Sequence, residues 1–278
     1  MLTTINVWLD IVFTGLYAFL LVALLFHFFL YVKTGRFRKS FINGVWAEHD
    51  TRPPAAPKVL HFVHMISMII LGASGMYLRF PYFYGGRTFM RDVHYVFMTI
   101  VIVVLIWRIL YAFFSKTNAD WREFAIGKKD LQSTLGVLAF YGYFSNDKPH
   151  VAKYNVLQKL SYNMFLYMMI LQAITGLALL KWNVPFVNVT VSQAMIGWNI
   201  GVMVGSASFA LWIVRTVHYV LNWAFILMTT IHLYLAGHVD APVVLDFFGV
   251  QELQLVEGHG HDDVPATPAP AETAPASA

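Results

Sequence analysis

An all-α integral membrane protein with five membrane-spanning helices is the fold class this sequence predicts, on three observations. Of its 278 residues, 58% are hydrophobic and 12% are charged, too apolar and too poor in charge for a soluble domain. Five runs reach the roughly 20 apolar residues that a helix needs to cross a bilayer. Lys and Arg cluster between those runs, so the net charge of +4 is explained by membrane orientation rather than by nucleic acid. Cysteine is absent, which excludes disulfides, thiolate-held iron–sulfur clusters and Cys-type zinc sites. Metal chemistry has to rest on histidine or carboxylates.

The first run, 9–32, has no basic region ahead of it and is long enough to span, so it reads as a retained anchor and not a cleaved signal peptide. The polar, proline-containing segment 33–57 is a loop, followed by spans at 58–79 and 92–114. Segment 115–153 reads as a loop with one interfacial helix around 131–143, and the last two spans are 156–180 and 208–236. Between them, 183–207 is mildly apolar and glycine-bearing, which predicts an interfacial or re-entrant segment. From about residue 257 the chain runs GHGHDDVPATPAPAETAPASA, a composition that cannot bury a core and is expected to be disordered. Trp8, Tyr31, Tyr111, Trp182 and Trp212 stand near span ends, where interfacial aromatic residues belong.

Five spans put the chain ends on opposite sides. One side carries Lys33, Arg36, Arg38, Lys39, Arg52 and Lys58, then Lys116, Arg122, Lys128, Lys129, Lys148 and Lys153. The other carries Arg79, Arg87, Arg91, Lys181 and Arg215. The richer side is expected to be cytoplasmic, with the N-terminus outside and the C-terminal tail inside.

Four of the eleven histidines fall into a geometry that helix arithmetic can follow. His218 and His232 are separated by about 21 Å of helical rise and by about 40° of rotation, so they share one face of the last span at two depths. The second span enters from the inner side with His61 in its first turn, and the third enters from the outer side with His94 in its first turn. Depth therefore pairs His94 with His218 and His61 with His232. An intramembrane ionisable residue is costly and points to function, although any one of them alone is equally explained as a core imidazole bonded to a neighbour. Two depth-matched pairs suit the axial imidazoles of two iron porphyrins, each saturated and therefore an electron carrier. Asn222, Trp223 and Met228 are expected to pack between the two sites.

Lys58, Arg91 and Arg215 each precede one of these histidines by three residues, sharing its helix face one turn nearer the surface. They suit haem propionates, and they equally suit snorkelling at helix ends. Gly75 and Arg108 lie fourteen residues beyond His61 and His94, each at the depth of the other site. Gly75 leaves room for a flat ring or for close helix packing, and Arg108 is a further propionate candidate or a snorkelling cation. His64, one turn after His61, is the rival ligand. His27 suits a hydrogen-bonded or cofactor-edge role, His238 reaches the headgroup region, and His49, His150, His259 and His261 belong to loops and tail.

The stretches KVLHFVHMISMIILGASG, MRDVHYVFMTIVIVVLIWRILYAF, YNVLQKLSYNMFLYMMILQAITGLAL and VRTVHYVLNWAFILMTTIHLYLA, in that order, resemble the four helices of the bacterial di-haem cytochrome b family. That family, cytochrome b561-like, includes the membrane subunits of nickel–iron hydrogenases and formate dehydrogenases. The resemblance implies a four-helix di-haem bundle over 58–240, preceded by an extra transmembrane helix and cytoplasmic loop over 1–57 and followed by an extension over 241–278. It implies two haem b groups on His61/His232 and His94/His218.

It further implies a quinone near the inner haem, beside Asn155 and Gln158, with Tyr154 lining the site and Lys159 and His27 as weaker neighbours. The bland reading of Asn155 and Gln158 is that they cap a helix. Implied partners are the lipid bilayer, quinone and outer-face electron-transfer or catalytic subunits of iron–sulfur or cytochrome c type, in a hetero-oligomeric complex of the bacterial inner membrane. Such a subunit does not act alone on the primary substrate. The added first helix and the VDAPVVLDFFGVQEL ending depart from the pattern. A stand-alone transmembrane electron carrier and a histidine-dependent metal-ion transporter are the alternatives.

Overall fold

A computed structural model of the chain describes residues 2–46, 52, 54–116, 119–145, 154–186 and 188–255, with backbone alone for 2–3 and 197–199. The tail from 256, with His259 and His261, lies outside the described residues, as do His49, Lys148, His150 and Lys153. The described residues form an all-α integral membrane protein whose five long helices have the length and composition to cross a bilayer. They are α1 (Leu2–Lys33), α2 (Ala55–Arg79), α3 (Arg87–Phe114), α5 (Val156–Ala178) and α7 (Ala207–Val239). The expected spans 9–32, 58–79, 92–114 and 208–236 lie inside their helices, whereas 156–180 overruns the end of α5 by two residues.

The shorter elements sit at the ends of the bundle. Helix α4 (Lys128–Tyr141) is the expected interfacial helix. The segment after α5 makes a single bridge, Asn183 to Thr190, then a π-helical stretch Gln193–Ile200 and one turn, α6 (Gly201–Met203). Ile196 of that stretch packs with Ala178, Ala210 and Val214, so the segment caps α5 and α7 from one side. Helix α8 (Ala241–Phe247) follows α7 with Pro in its first turn, where a missing N–H costs nothing.

Helices α2 and α3 form an antiparallel hairpin, α5 and α7 pack as a second pair, and α3 meets α5. The α2–α3 turn is folded onto Tyr77, whose hydroxyl donates to the Phe83 carbonyl at 2.6 Å. At Gly86, the N-cap of α3, a Cβ would stand 2.2 Å from the Phe83 ring, so glycine is required for that close approach.

Helix α1 lies against α7 and is tied there by polar groups within its apolar length. Asp10 binds the Arg79 guanidinium at 2.7 Å and accepts a hydrogen bond from Tyr219 at 2.6 Å. Phe13 stacks on Trp223 with ring centres 5.8 Å apart. Here one expectation fails. Trp223 faces α1 rather than the space between the histidine sites, because five residues beyond His218 is about 140° further round the helix. Asn222 does face the bundle, with its amide 3.6 Å from the Met76 sulfur. Asp10→Ala leaves Arg79 with only the Asn6 carbonyl and Tyr219 without its carboxylate acceptor, and a destabilisation of ~1–3 kcal/mol is expected. Thermal unfolding in mild detergent, with Asp10→Asn as the milder comparison, measures it.

Candidate functional site

The end of the bundle holding His94 and His218 is called outer here, and the end holding His61 and His232 inner, after the orientation expected from charge. The structure brings both depth-matched pairs together. The His94 and His218 rings are 6.3 Å apart centre to centre, and so are those of His61 and His232. Two imidazoles bound on opposite sides of one metal, each through a nitrogen about 2 Å from it and with roughly 1.1 Å more to the ring centre, span about 6.3 Å. Both pairs therefore have the spacing of a two-imidazole metal site.

The outer pair also has its tautomers assigned by its neighbours. The Ser74 hydroxyl donates to the Ile70 carbonyl at 2.7 Å and stands 2.9 Å from His94 Nδ1. The Thr175 hydroxyl donates to the Leu171 carbonyl at 2.9 Å and stands 2.9 Å from His218 Nδ1. A hydroxyl whose proton goes to its own helix carbonyl presents its oxygen to the ring as an acceptor, an assignment that puts the hydrogen on Nδ1 and leaves the lone pair on Nε2. This is the arrangement that prepares an imidazole to bind a metal through Nε2. The Gln172 amide donates to His218 Nε2 at 3.3 Å, in agreement with that assignment.

Glycines complete the outer site. A Cβ on Gly75 would stand 3.4 Å from His94 Cε1, and one on Gly176 would stand 3.4 Å from His218 Cε1 and 3.5 Å from the Met98 sulfur. Gly75 thus lies at the outer pair, against the His94 imidazole itself. Ser74, Gln172, Thr175 and Gly176 are not among the residues expected from sequence. Their signal is a hydroxyl–glycine doublet, Ser74-Gly75 and Thr175-Gly176, in two apolar helices.

The inner pair is built differently. His61 is exposed on the bundle surface, and Phe247 of α8 covers its ring edge-on at 4.8 Å, while Phe165 approaches His232 at 6.2 Å. His64 turns toward α3, to the Val101 backbone and Arg108, so His61 is the α2 imidazole beside His232. Buried polar atoms without a hydrogen-bond partner among the described residues occur beside both pairs: Gln172 Oε1 at the outer, His64 Nε2 at the inner. Such atoms call for an explanation, of which a bound group is one. No cluster of three or more His, Asp or Glu suited to a bare metal ion occurs among the described residues. Sites of two imidazoles suit a metal that brings its own equatorial donors, as iron porphyrin does.

The cations are placed as follows. Lys58 binds Asp246 at 2.6 Å, Arg108 binds Asp120 at 2.7 Å, Arg91 lies 3.6 Å from Asp92, and Arg215 is exposed. Lys58 and Arg108 are thus held by carboxylates, beside the inner imidazoles. Asp246 itself is buried, which disfavours its charge. Hydrogen bonds from Lys58, Arg52 and the Leu253 N–H outweigh that and hold its carboxyl at about 2. Because this lies below the usual carboxylate value of about 3.9, the clamp's contribution to stability is full above about pH 4 and is lost as the pH falls through about 2. Pepsin cleavage within 240–255 should accordingly rise over that interval, and Asp246→Asn should already be cleaved at the upper end of it.

Asn155 and Gln158 form a reciprocal cap: Asn155 Oδ1 accepts from the Gln158 N–H at 3.0 Å, and Gln158 Oε1 accepts from the Asn155 N–H at 2.9 Å. The Asn155 amide also donates to the Tyr141 hydroxyl at 3.3 Å. Lys159 is committed to Asp130 at 3.0 Å. Tyr154 stacks on Phe124, and burial together with the Glu123 and Asp120 charges pushes its hydroxyl up to about 12, so it stays protonated. His27 donates through Nε2 to the Tyr141 carbonyl at 2.9 Å and accepts at Nδ1 from Tyr234 at 2.6 Å. Tyr141 therefore touches both His27 and Asn155.

A helical bundle with two stacked pairs of intramembrane imidazoles defines a class of multi-pass membrane protein whose ring spacings suit planar metal cofactors. The chain belongs to the prokaryotic cytochrome b561 family, whose sequence profile matches residues 52–245. Members are b-type haem electron carriers of the membrane, and this chain is accordingly a multi-pass bacterial membrane protein of that kind. No curated protein matches the chain.

Proposed function

We propose that the chain is the di-haem b-type cytochrome subunit of a respiratory oxidoreductase complex, with His94/His218 and His61/His232 as the axial pairs. Haem held there would supply one-electron chemistry between an outer-face partner of iron–sulfur or cytochrome c type and quinone at the inner face. The α7 histidines that would hold it, His218 and His232, are about 21 Å apart along the helix. The observation that carries this reading is the outer pair, where the two ring centres stand 6.3 Å apart and a hydroxyl meets each Nδ1.

The protein's own groups do the rest. Val101, Val104, Leu105 and Phe225 are buried along α3 and α7 and keep water from the interior. Arg215 is exposed and open to pair with a propionate and Arg91 is held only at 3.6 Å by Asp92, whereas Lys58 and Arg108 are already committed to Asp246 and Asp120. Asn155 and Gln158 cap the start of α5 with Tyr154 beside them, the end of the bundle at which the resemblance implies quinone, and Tyr154 keeps its proton there as a donor. The charge distribution supports an outside N-terminus and a cytoplasmic C-terminal tail.

An optical difference spectrum of the purified protein tests the proposal. Reduced-minus-oxidised b-type bands and about two haems per chain are expected for two bis-histidine sites; a colourless, folded protein overturns it. Co-purification of a catalytic subunit in mild detergent separates a complex subunit from a stand-alone carrier.

A further inference from the structure

We infer that Ser74 and Thr175 are the positioning residues of the outer site, each clasping one axial imidazole from a helix other than the one that carries it. The inference rests on the haem reading of His94 and His218. Four observations converge on it. Each hydroxyl lies 2.9 Å from an Nδ1. Each is anchored to its own helix by donating to the carbonyl four residues earlier, so the oxygen that faces the ring cannot rotate away without losing that bond. Each is followed by a glycine that lies against the same ring, whose Cε1 is 3.4 Å from where a Cβ would stand. The two doublets stand on α2 and α5, while the imidazoles come from α3 and α7. The clasp thereby locks both helix pairs to the same site. Ser74 is 2% exposed, so water does not substitute for it.

The inner pair has no counterpart: among the described residues no hydroxyl is hydrogen-bonded to His61 or His232, and their ring contacts are with Phe247 and Phe165. An acceptor on Nδ1–H makes an imidazole a stronger donor to its metal and fixes the ring plane. Stronger donation favours the ferric state, so removing the acceptor should raise the reduction potential of the outer haem and leave the inner one unmoved.

The experiment is a redox titration with low-temperature EPR on the whole chain in detergent, for wild type, Ser74→Ala, Thr175→Val, Ser74→Thr and Thr175→Ser. Thr175→Val keeps the side-chain shape and removes the acceptor, and the hydroxyl swaps keep the acceptor. The expected result is an upward shift of one midpoint potential, with a changed low-spin EPR signal, in the Ala and Val variants. The shifted haem should be the one absent from His218→Ala, and the hydroxyl swaps should behave as wild type. Unmoved potentials in both Ala and Val variants overturn the inference, and so do two haems that shift together. A wild type without haem would show instead that the underlying reading has failed.

Discussion

His218→Ala should yield a folded protein with about one haem per chain in place of about two, the surviving haem being the inner one. His218 is the outer member of the α7 pair, its ring 6.3 Å from that of His94. Without it, His94 is left as a lone ligand. The His218 ring is hydrogen-bonded to Thr175 and Gln172. Neither of these reaches the inner end, where His61 and His232 are framed by Phe165 and Phe247. A large-to-small change at such a site costs about 2–5 kcal/mol in packing, which the rest of a long bundle can carry. Haem-to-protein ratio by alkaline pyridine spectroscopy and the number of steps in a redox titration are the readouts. Loss of both haems from a folded protein, or of neither, would falsify the pairing.

Much of this architecture is legible in the chain because membrane proteins obey few rules. The bilayer forces long apolar helices, so the spans can be read from composition, and a regular helix converts sequence spacing into depth and direction. That is enough to match His94 to His218 and His61 to His232. The failures have the same origin. Depth arithmetic says nothing about which neighbour lies beside a given face, so Trp223 is expected between the sites although it packs on Phe13 of α1. Asp10, an acidic residue in an apolar run, gains its meaning only from Arg79 and Tyr219 around it. Ser74 and Thr175 look like ordinary small helix residues, since a hydroxyl bonded to its own backbone is common in membrane helices. Only the arrival of a ring from another helix gives them a role. Likewise Lys58 and Arg108 are legible as cations at the correct depth, but their carboxylate partners, Asp246 and Asp120, lie far along or off the helix and cannot be inferred from spacing.

The inner site offers the sharper discrimination, because α2 carries two histidines one turn apart and only one of them can pair with His232. His61→Ala should abolish the inner haem and with it quinone reduction, while the outer haem is still reduced by an outer donor. His64→Ala should retain both haems. The reasoning is geometric: the His61 ring lies 6.3 Å from that of His232, whereas His64 is turned to the α3 backbone and keeps a buried Nε2 without a partner among the described residues. The expected loss in His61→Ala is large. Without the inner station, the outer site and the Asn155 end of α5 are separated by most of the bilayer core of about 30 Å. Stopped-flow reduction followed at the haem bands, with and without a quinone analogue, separates the two steps. In His61→Ala the outer haem should stay reduced when quinone is added. If His64→Ala behaves in this way and His61→Ala does not, the ligand on α2 is His64, and the ring spacing at the inner pair has no part in binding.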